Sequence, residues 1–335
     1  MIETKQFKTI LQAYGISTEI IDIIHLEEKK HELQLLYKIN LQNGLELICH
    51  IFHKLHYSKD LMEQQSLFSE KLRSYGLPTA KKYKLYLTDE NSYVFDFQDY
   101  HITLEQYAGI DINTVGLENF YQLGVLLGKI HFVSEYDPSQ IDYTPVCQAI
   151  REGRATFDRI LANYNSNLSC RQDIKTIQTL HDSLVYQLRE VLEELPHGAV
   201  HGDLGIFNNL VTTERKLSII DFHLAGDEPF LYDLLTCFYS SIYKYAWKNK
   251  LKDINNQQAF SHFLYGYVSQ RKLTISEKQQ FRLVSTFFDG LFYCKAILEE
   301  YDDTGDPLVL KRFRNAIIKF NPLYHYYPPE LYILT

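Results

Sequence analysis

The chain has 335 residues, 45% of them hydrophobic and 23% charged, with a net charge of −8. That length can hold two lobes with packed interiors, and the negative balance leaves no basic footprint for nucleic acid or an anionic lipid surface. No apolar run reaches the length of a membrane span, and Met1-Ile2-Glu3-Thr4-Lys5 carries no signal-peptide pattern. Cys49, Cys147, Cys170, Cys237 and Cys294 are odd in number and widely spaced, without a C-x-x-C pair. That spacing suits reduced thiols in a cytoplasmic protein rather than a disulfide framework or a zinc site. There is no internal repeat or low-complexity linker, so the lobes are expected to be joined by a short hinge.

In chain order, residues 7–14 read as a short helix stopped by Gly15. Residues 33–41 and 45–53 are strand-like and joined by Asn43-Gly44, a strong hairpin signal. A helix is predicted over 59–75, with Ser58 as its N-cap and Gly76 past its end. Residues 83–87 and 93–96 read as further strands, and 101–107 as a strand running into a hinge at Gly109. The period then turns helical. Phe120, Leu123, Leu127 and Ile130 share one face, as do Ile174, Ile177, Leu184, Leu188 and Val191 in a long helix closed by Pro196. Short strand-like runs follow at 198–200, 209–211 and 218–220, the last two separated by the polar turn Glu214-Arg215-Lys216. Three or four helices are expected to fill 231–320. This order argues a two-lobed α+β protein, with one lobe over 1–108, the other over 109–335 and the active site in the cleft.

The chemistry concentrates in the strand-rich stretch of the second half. His201-Gly202-Asp203-Leu204 is followed by Asn208 and then by Ile220-Asp221-Phe222. Kinase-type phosphoryl transfer needs a carboxylate to orient the attacking hydroxyl and take its proton. It also needs an amide and a second carboxylate to hold magnesium on the transferring phosphates. H-x-D-x-x-x-x-N followed by a D-F step supplies those groups at kinase spacing. Asp203 is then the base, and Asn208 and Asp221 are the metal ligands.

These motifs resemble the aminoglycoside phosphotransferase, choline kinase and homoserine kinase family. The stretch from His201 to Asn208 is similar to the family's H-G-D-L-x-x-x-N loop. Ile220-Asp221-Phe222, Ala225-Gly226-Asp227, Pro229 and Tyr232-Asp233-Leu234 look like its I-D-F-x-x-A-G…P…Y-D-L stretch. Leu123-Gly124, Leu127-Gly128 and Ile130-His131 match its L-G-x-x-L-a-x-L-H helix, and Glu63, Leu72 and Gly76-Leu77-Pro78 resemble its small-lobe helix and following turn. The resemblance implies a protein-kinase-like fold, with a small, mostly antiparallel β N-lobe carrying one key helix and a larger, mainly helical C-lobe. It implies Mg2+ as cofactor, ATP or GTP as phosphoryl donor and a small-molecule hydroxyl as acceptor. It also gives Glu63 the role of an ion-pairing glutamate and has Asp233 tie the catalytic loop together.

The small lobe departs from the family pattern. The turn expected over the phosphates falls on Leu26-Glu27-Glu28-Lys29-Lys30-His31, which has no glycine to bring backbone N–H groups close to a triphosphate. The strand Leu47-Ile48-Cys49-His50-Ile51 places His50 where the family has the lysine or arginine that binds nucleotide. An imidazole neutral at pH 7 lacks that fixed charge. Lys54 and Lys38 are the other candidates for the cation. His131 and His201 read as structural. Asp289 and Glu299-Glu300-Tyr301-Asp302-Asp303 are candidates to meet a cationic acceptor, although such a run also suits a solvated helix end. The tyrosines at Leu323-Tyr324-His325-Tyr326-Tyr327 could line an acceptor pocket or simply pack. Asp221-Phe222-His223-Leu224-Ala225 looks like the homoserine kinase branch. The reading is a magnesium-dependent small-molecule kinase. The alternatives are a nucleotide-binding pseudokinase or scaffold, and a protein Ser/Thr kinase of the same fold.

Overall fold

The computed structural model describes residues 4–29, 34–86, 91–112, 115–152, 171–211, 217–247 and 254–322. The chain divides into two compact units. The first comprises residues 1–111, 140–142 and 209–223, and the second 112–139, 143–208 and 224–335.

The first unit opens with helix α1 (Thr4–Ala13). Five antiparallel strands follow: β1 (Ile20–Lys29), β2 (Gln34–Leu41), β3 (Glu46–His53), β4 (Phe95–Phe97) and β5 (Tyr100–Gln106), in the order β1-β2-β3-β5-β4. Side chains alternate along each strand, so one face of this sheet carries Tyr37, Ile39, Leu47, Cys49, Ile51, Ile102 and Leu104. With Phe7, Ile10 and Leu11 of α1 these make the main core of the unit. The Tyr14 hydroxyl, buried at its edge, donates to the carbonyls of Tyr93 and Ile102. The same alternation turns His50, Phe52, Thr103 and Glu105 to the opposite face.

Helix α2 (Lys59–Ser74) follows β3, with Ser58 accepting from the Leu61 N–H at its start. Met62 of α2 packs with Phe52 and Val94. A smaller sheet pairs β6 (Ile110–Asp111), β8 (Asn209–Val211) and β9 (Leu217–Ile219) in the order β6-β8-β9. The Ile219 N–H donates to the Pro78 carbonyl (2.6 Å) and Ala80 N–H to the Ile219 carbonyl (3.2 Å), which hooks β9 onto the chain leaving α2.

In the second unit, α3 (Leu117–Tyr136) lies against α7 (Asn256–Val268). Their backbones touch where each is glycine. A Cβ on Gly124 would lie 2.0 Å from the Phe263 oxygen, and one on Gly266 2.1 Å from the Tyr121 oxygen. The other helices are α4 (Pro145–Glu152), α5 (Arg171–Val191), α6 (Phe230–Trp247), α8 (Ile275–Thr304), α9 (Pro307–Leu310) and α10 (Phe313–Lys319). Strand β7 (His197–Val200) pairs antiparallel with β10 (Gly226–Pro229).

Several expectations change. Leu26-Glu27-Glu28-Lys29 is not a turn. β1 runs through Lys29, and Glu27, Glu28 and Lys29 pair with Leu36, Leu35 and Gln34 beyond a bulge. Nothing in that run breaks a strand, and β2 offers its backbone groups partners; Lys30 and His31 lie outside the described residues. The stretch from Tyr83 to Leu85 makes single bonds to Leu104 and Ser92 rather than a strand, and the strand near Tyr93 is the short β4. Five helical segments, not three or four, occupy the described residues between 230 and 319. Leu87, Cys170, the turn at Glu214-Arg215-Lys216 and the tyrosine run at 323–327 lie outside the described residues.

Candidate active site

The second face of the five-stranded sheet, α2 and the turn after β9 line a half-open pocket within the first unit. His50, Phe52, Tyr57, Met62, Gln65, Ser66, Lys82, Thr103, Asp221, Phe222 and His223 line it. Strand alternation puts His50 there, opposite Thr103 on β5. The His50 Nε2 lies 3.1 Å from one oxygen of Glu105, and the Lys82 Nζ lies 2.5 Å from the other. Glu105 is 4% exposed. Burial works to raise its carboxyl, but the Lys82 ammonium and then His50 outweigh it and hold the group down at about 2. The carboxylate is therefore ionised through the physiological range.

Asp221 has φ +67, a left-handed conformation that aspartate tolerates better than most residues but that still costs on the order of 1 kcal/mol. Such strain persists where surroundings hold it. Here the carboxylate is gripped by His223 Nδ1, the Gln65 amide donates to the His223 carbonyl at 2.7 Å, and Phe222 stands edge-on to Phe68.

The other residues singled out in the small-lobe sequence are engaged elsewhere. The Glu63 carboxylate accepts from the N–H groups of Tyr93 (2.9 Å) and Val94 (2.9 Å) and from the Ser92 hydroxyl, fixing the approach to β4. Lys38 pairs with Glu46 at 2.5 Å and stacks over the Tyr107 ring, and Lys54 pairs with Asp96 at 3.2 Å. None of the three lines the pocket. Lys82 and Glu105 were not singled out in the sequence. The signal available was a glutamate at the inner edge of the apolar run Ile102-Thr103-Leu104 and a lysine pair just after the Gly76-Leu77-Pro78 turn.

Asp203 and Asn208 belong to the second unit. A tight turn over Ile206–Asn208 folds Asn208 back, and its Nδ2 donates to the Asp203 carbonyl (2.8 Å) and to the Asp203 carboxylate (3.1 Å). The Ile206 N–H donates to the Ser241 hydroxyl of α6 at 3.1 Å. Gly202 N–H donates to one oxygen of the buried Asp233 at 3.1 Å, and the other oxygen lies 3.0 Å from His131 Nε2. Burial pushes the His131 imidazole below its ordinary value against the pull of Asp233, so the ring is neutral at pH 7. A neutral ring meets both neighbours by donating Nε2–H to Asp233 and accepting at Nδ1 from Tyr267 Oη, 2.8 Å away. Tyr267 in turn accepts from Arg271, whose guanidinium is closed by Glu277 (2.9 Å) and Glu135 (2.7 Å). The loop is thus the end of a buried hydrogen-bonded chain running through α3, α6, α7 and α8, which confines its backbone.

The acidic residues considered for an acceptor are accounted for otherwise. Asp289 is buried, accepts from Tyr243 and pairs with Lys319 at 3.2 Å. Glu299 to Asp303 form the last turns of α8, where Glu300 pairs with Arg312 at 2.5 Å and Asp302 and Asp303 are exposed.

Taken one by one, the two residues expected to hold magnesium offer hard oxygen donors. With its Nδ2 turned to Asp203, the Asn208 side chain has its amide oxygen left to offer, and Asp221 offers a carboxylate; both are oxygen donors of the kind magnesium takes. Among the described residues no group of three or more His, Cys, Asp or Glu side chains is poised to hold a metal.

The model of the phosphotransferase enzyme family matches residues 37–259, more than half of the chain. The protein belongs to that family. Among curated relatives, a homoserine kinase of Parvibaculum lavamentivorans is 36% identical over 74 residues, covering 21% of this chain and 23% of that one. A homoserine kinase of Neisseria meningitidis serogroup B is 23% identical over 214 residues, covering 63% of this chain and 65% of that one. The chain thus matches less than two thirds of the length of either relative. Among solved structures, an amicoumacin kinase in complex with AMP-PNP, Ca2+ and Ami superimposes with a TM-score of 0.69 at 17% identity, over 100% of this chain and 98% of that one. That likeness shows the protein-kinase-like fold. No described helix is long and apolar enough to cross a membrane.

Proposed function

We propose that the protein is an ATP- and magnesium-dependent kinase that phosphorylates a hydroxyl of a small molecule. The observation that carries this reading is the Asp203 carboxylate, held by the Asn208 amide on a loop whose backbone is anchored to buried Asp233. In the proposed reaction Asp203 orients the acceptor hydroxyl and takes its proton as the oxygen bonds to the γ-phosphorus, and ADP leaves. Asn208 and Asp221 would hold the magnesium ion, which neutralises charge on the phosphates. Catalysis here is mainly positioning, and the anchored loop favours it.

A small amino acid alcohol of the homoserine type is the first acceptor to try, given the two curated relatives. A cytoplasmic setting accords with four buried free cysteines among the described residues. The deciding experiment is Asp203→Asn. It should lower phosphoryl transfer about 10²- to 10⁴-fold, the usual worth of a general base, while leaving nucleotide affinity nearly unchanged. Turnover within a few-fold of wild type would refute the assignment. The second reading, a nucleotide-binding pseudokinase, draws on Glu63, whose carboxylate serves the 92–94 backbone. It predicts nucleotide binding with no transfer across an acceptor screen.

A further inference from the structure

We infer that Lys82 is the cation that grips the phosphates of the nucleotide donor, in place of the lysine or arginine that β3 lacks, with Glu105 as its positioning partner. This rests on the proposed kinase reading and adds to it a residue that motif matching does not reach.

Three observations carry it. First, among the described residues lining the pocket Lys82 is the only lysine or arginine, and it shares that pocket with His50 and Asp221. Lys38 and Lys54 are held outside the pocket by Glu46 and Asp96. Second, one carboxylate joins the two positions at issue. Glu105 has one oxygen 3.1 Å from His50 Nε2 and the other 2.5 Å from Lys82 Nζ, so the ammonium stands at the sheet face where His50 points. An ammonium has three N–H donors and the Glu105 bond uses one, so it can be oriented by that bond and still donate to a phosphate. Third, the Lys82 side chain is only 9% exposed. Taking a lysine out of water is costly, and a buried ion pair is often no more stabilising than an apolar pair of the same size. A lysine held this far from water, where an apolar pair would serve the fold as well, is more readily understood if its charge also serves a ligand. Anion and cation here come from β5 and from the segment after α2, not from α2 and β3, which accords with Glu63 being used on the backbone of 92–94.

The test is titration calorimetry of the full chain with MgADP and, separately, with adenosine. Lys82→Gln combined with Glu105→Gln removes both charges and leaves no unpaired ion behind. It should melt cooperatively, lose roughly ten- to a hundredfold in MgADP affinity, the range for a charge-assisted hydrogen bond, and keep its adenosine affinity. A pair that is merely structural would leave the ratio of the two affinities unmoved. MgADP binding within twofold of wild type overturns the assignment while leaving the kinase reading intact. A wild-type chain that binds no MgADP overturns the kinase reading and this assignment together. A second measurement needs no variant. An acyl phosphate of ATP places an electrophilic carbonyl beside the phosphates; the amine that attacks it forms an amide, and ATP leaves. Peptide mapping of the wild type should find the label on Lys82 and find it blocked by MgADP. A label on Lys38 or Lys54 with Lys82 unmodified refutes the proposal even if the double variant does not fold.

Discussion

Gly202 directly precedes Asp203, and replacing it by alanine tests how tightly the loop is held. Its φ is +80, and a Cβ built there lies 2.1 Å from the Leu224 carbonyl oxygen and 2.9 Å from the carbonyl carbon. Ordinary contact begins near 3.4 Å, so one backbone segment must retreat by about 1.3 Å. Gly305, past the end of α8, isolates the conformational part of the cost, since its φ is +65 and nothing lies within 4 Å of its Cβ. Gly305→Ala should therefore cost about 1 kcal/mol, the penalty for a non-glycine residue in left-handed backbone. Gly202→Ala adds overpacking against backbone, for about 2–4 kcal/mol in all. A displacement of that size beside Asp203, the proposed base, should also cut the proposed transfer about 100-fold, because 1 Å misplacements do so elsewhere. Denaturant melts of both variants give the stability difference, and steady-state transfer gives the rate. Equal destabilisation of the two variants, with Gly202→Ala retaining its rate, would refute the claim that Leu224 confines the loop.

Tyr267→Phe removes the hydroxyl between His131 and Arg271 and should destabilise the protein by about 1–3 kcal/mol; a melt unchanged within about 0.5 kcal/mol, half the lower bound of that cost, would show that the chain of bonds does not bear on the fold. Glu63→Ala strips the carboxylate from the N–H groups of Tyr93 and Val94 and should cost a similar amount, with hydrogen exchange speeding at those two amides; unchanged protection there would count against its structural role. Two buried carboxyls set opposite pH limbs. Glu105 is held at about 2 against an ordinary 4.5, so its contribution is present above 4.5 and lost as pH falls from there toward 2. Glu228 is pushed by burial to about 7, opposed by the N–H groups of Cys147 and Val146, so its contribution is full below 4.5 and lost as pH rises through 7. Glu228→Gln should therefore gain stability relative to wild type between about pH 5 and pH 8 in paired melts, and a constant difference across that range would refute the shift.

What was legible in the sequence was what short stretches determine by themselves. Asn43-Gly44 marks the β2–β3 hairpin because few dipeptides adopt its backbone angles, and Ser58 marks the start of α2 because its hydroxyl can cap an orphan N–H. Asp203 and Asn208 are five residues apart, so one local turn brings the amide to the carboxylate, and the loop reads as a unit from its own residues. Local sequence misled where pairing decided the outcome. The charged run after Leu26 is strand because β2 lies beside it. Of the pocket, His50 and Asp221 stand out in the sequence, whereas the Lys82–Glu105 pair does not. His50, Lys82 and Glu105 are separated by up to 55 residues and stand on three segments, and only the antiparallel register of β3 with β5 and the bridge from Lys82 to Glu105 bring them together. Side-chain alternation tells which face His50 occupies; which charge waits there depends on the strand that folds in beside it.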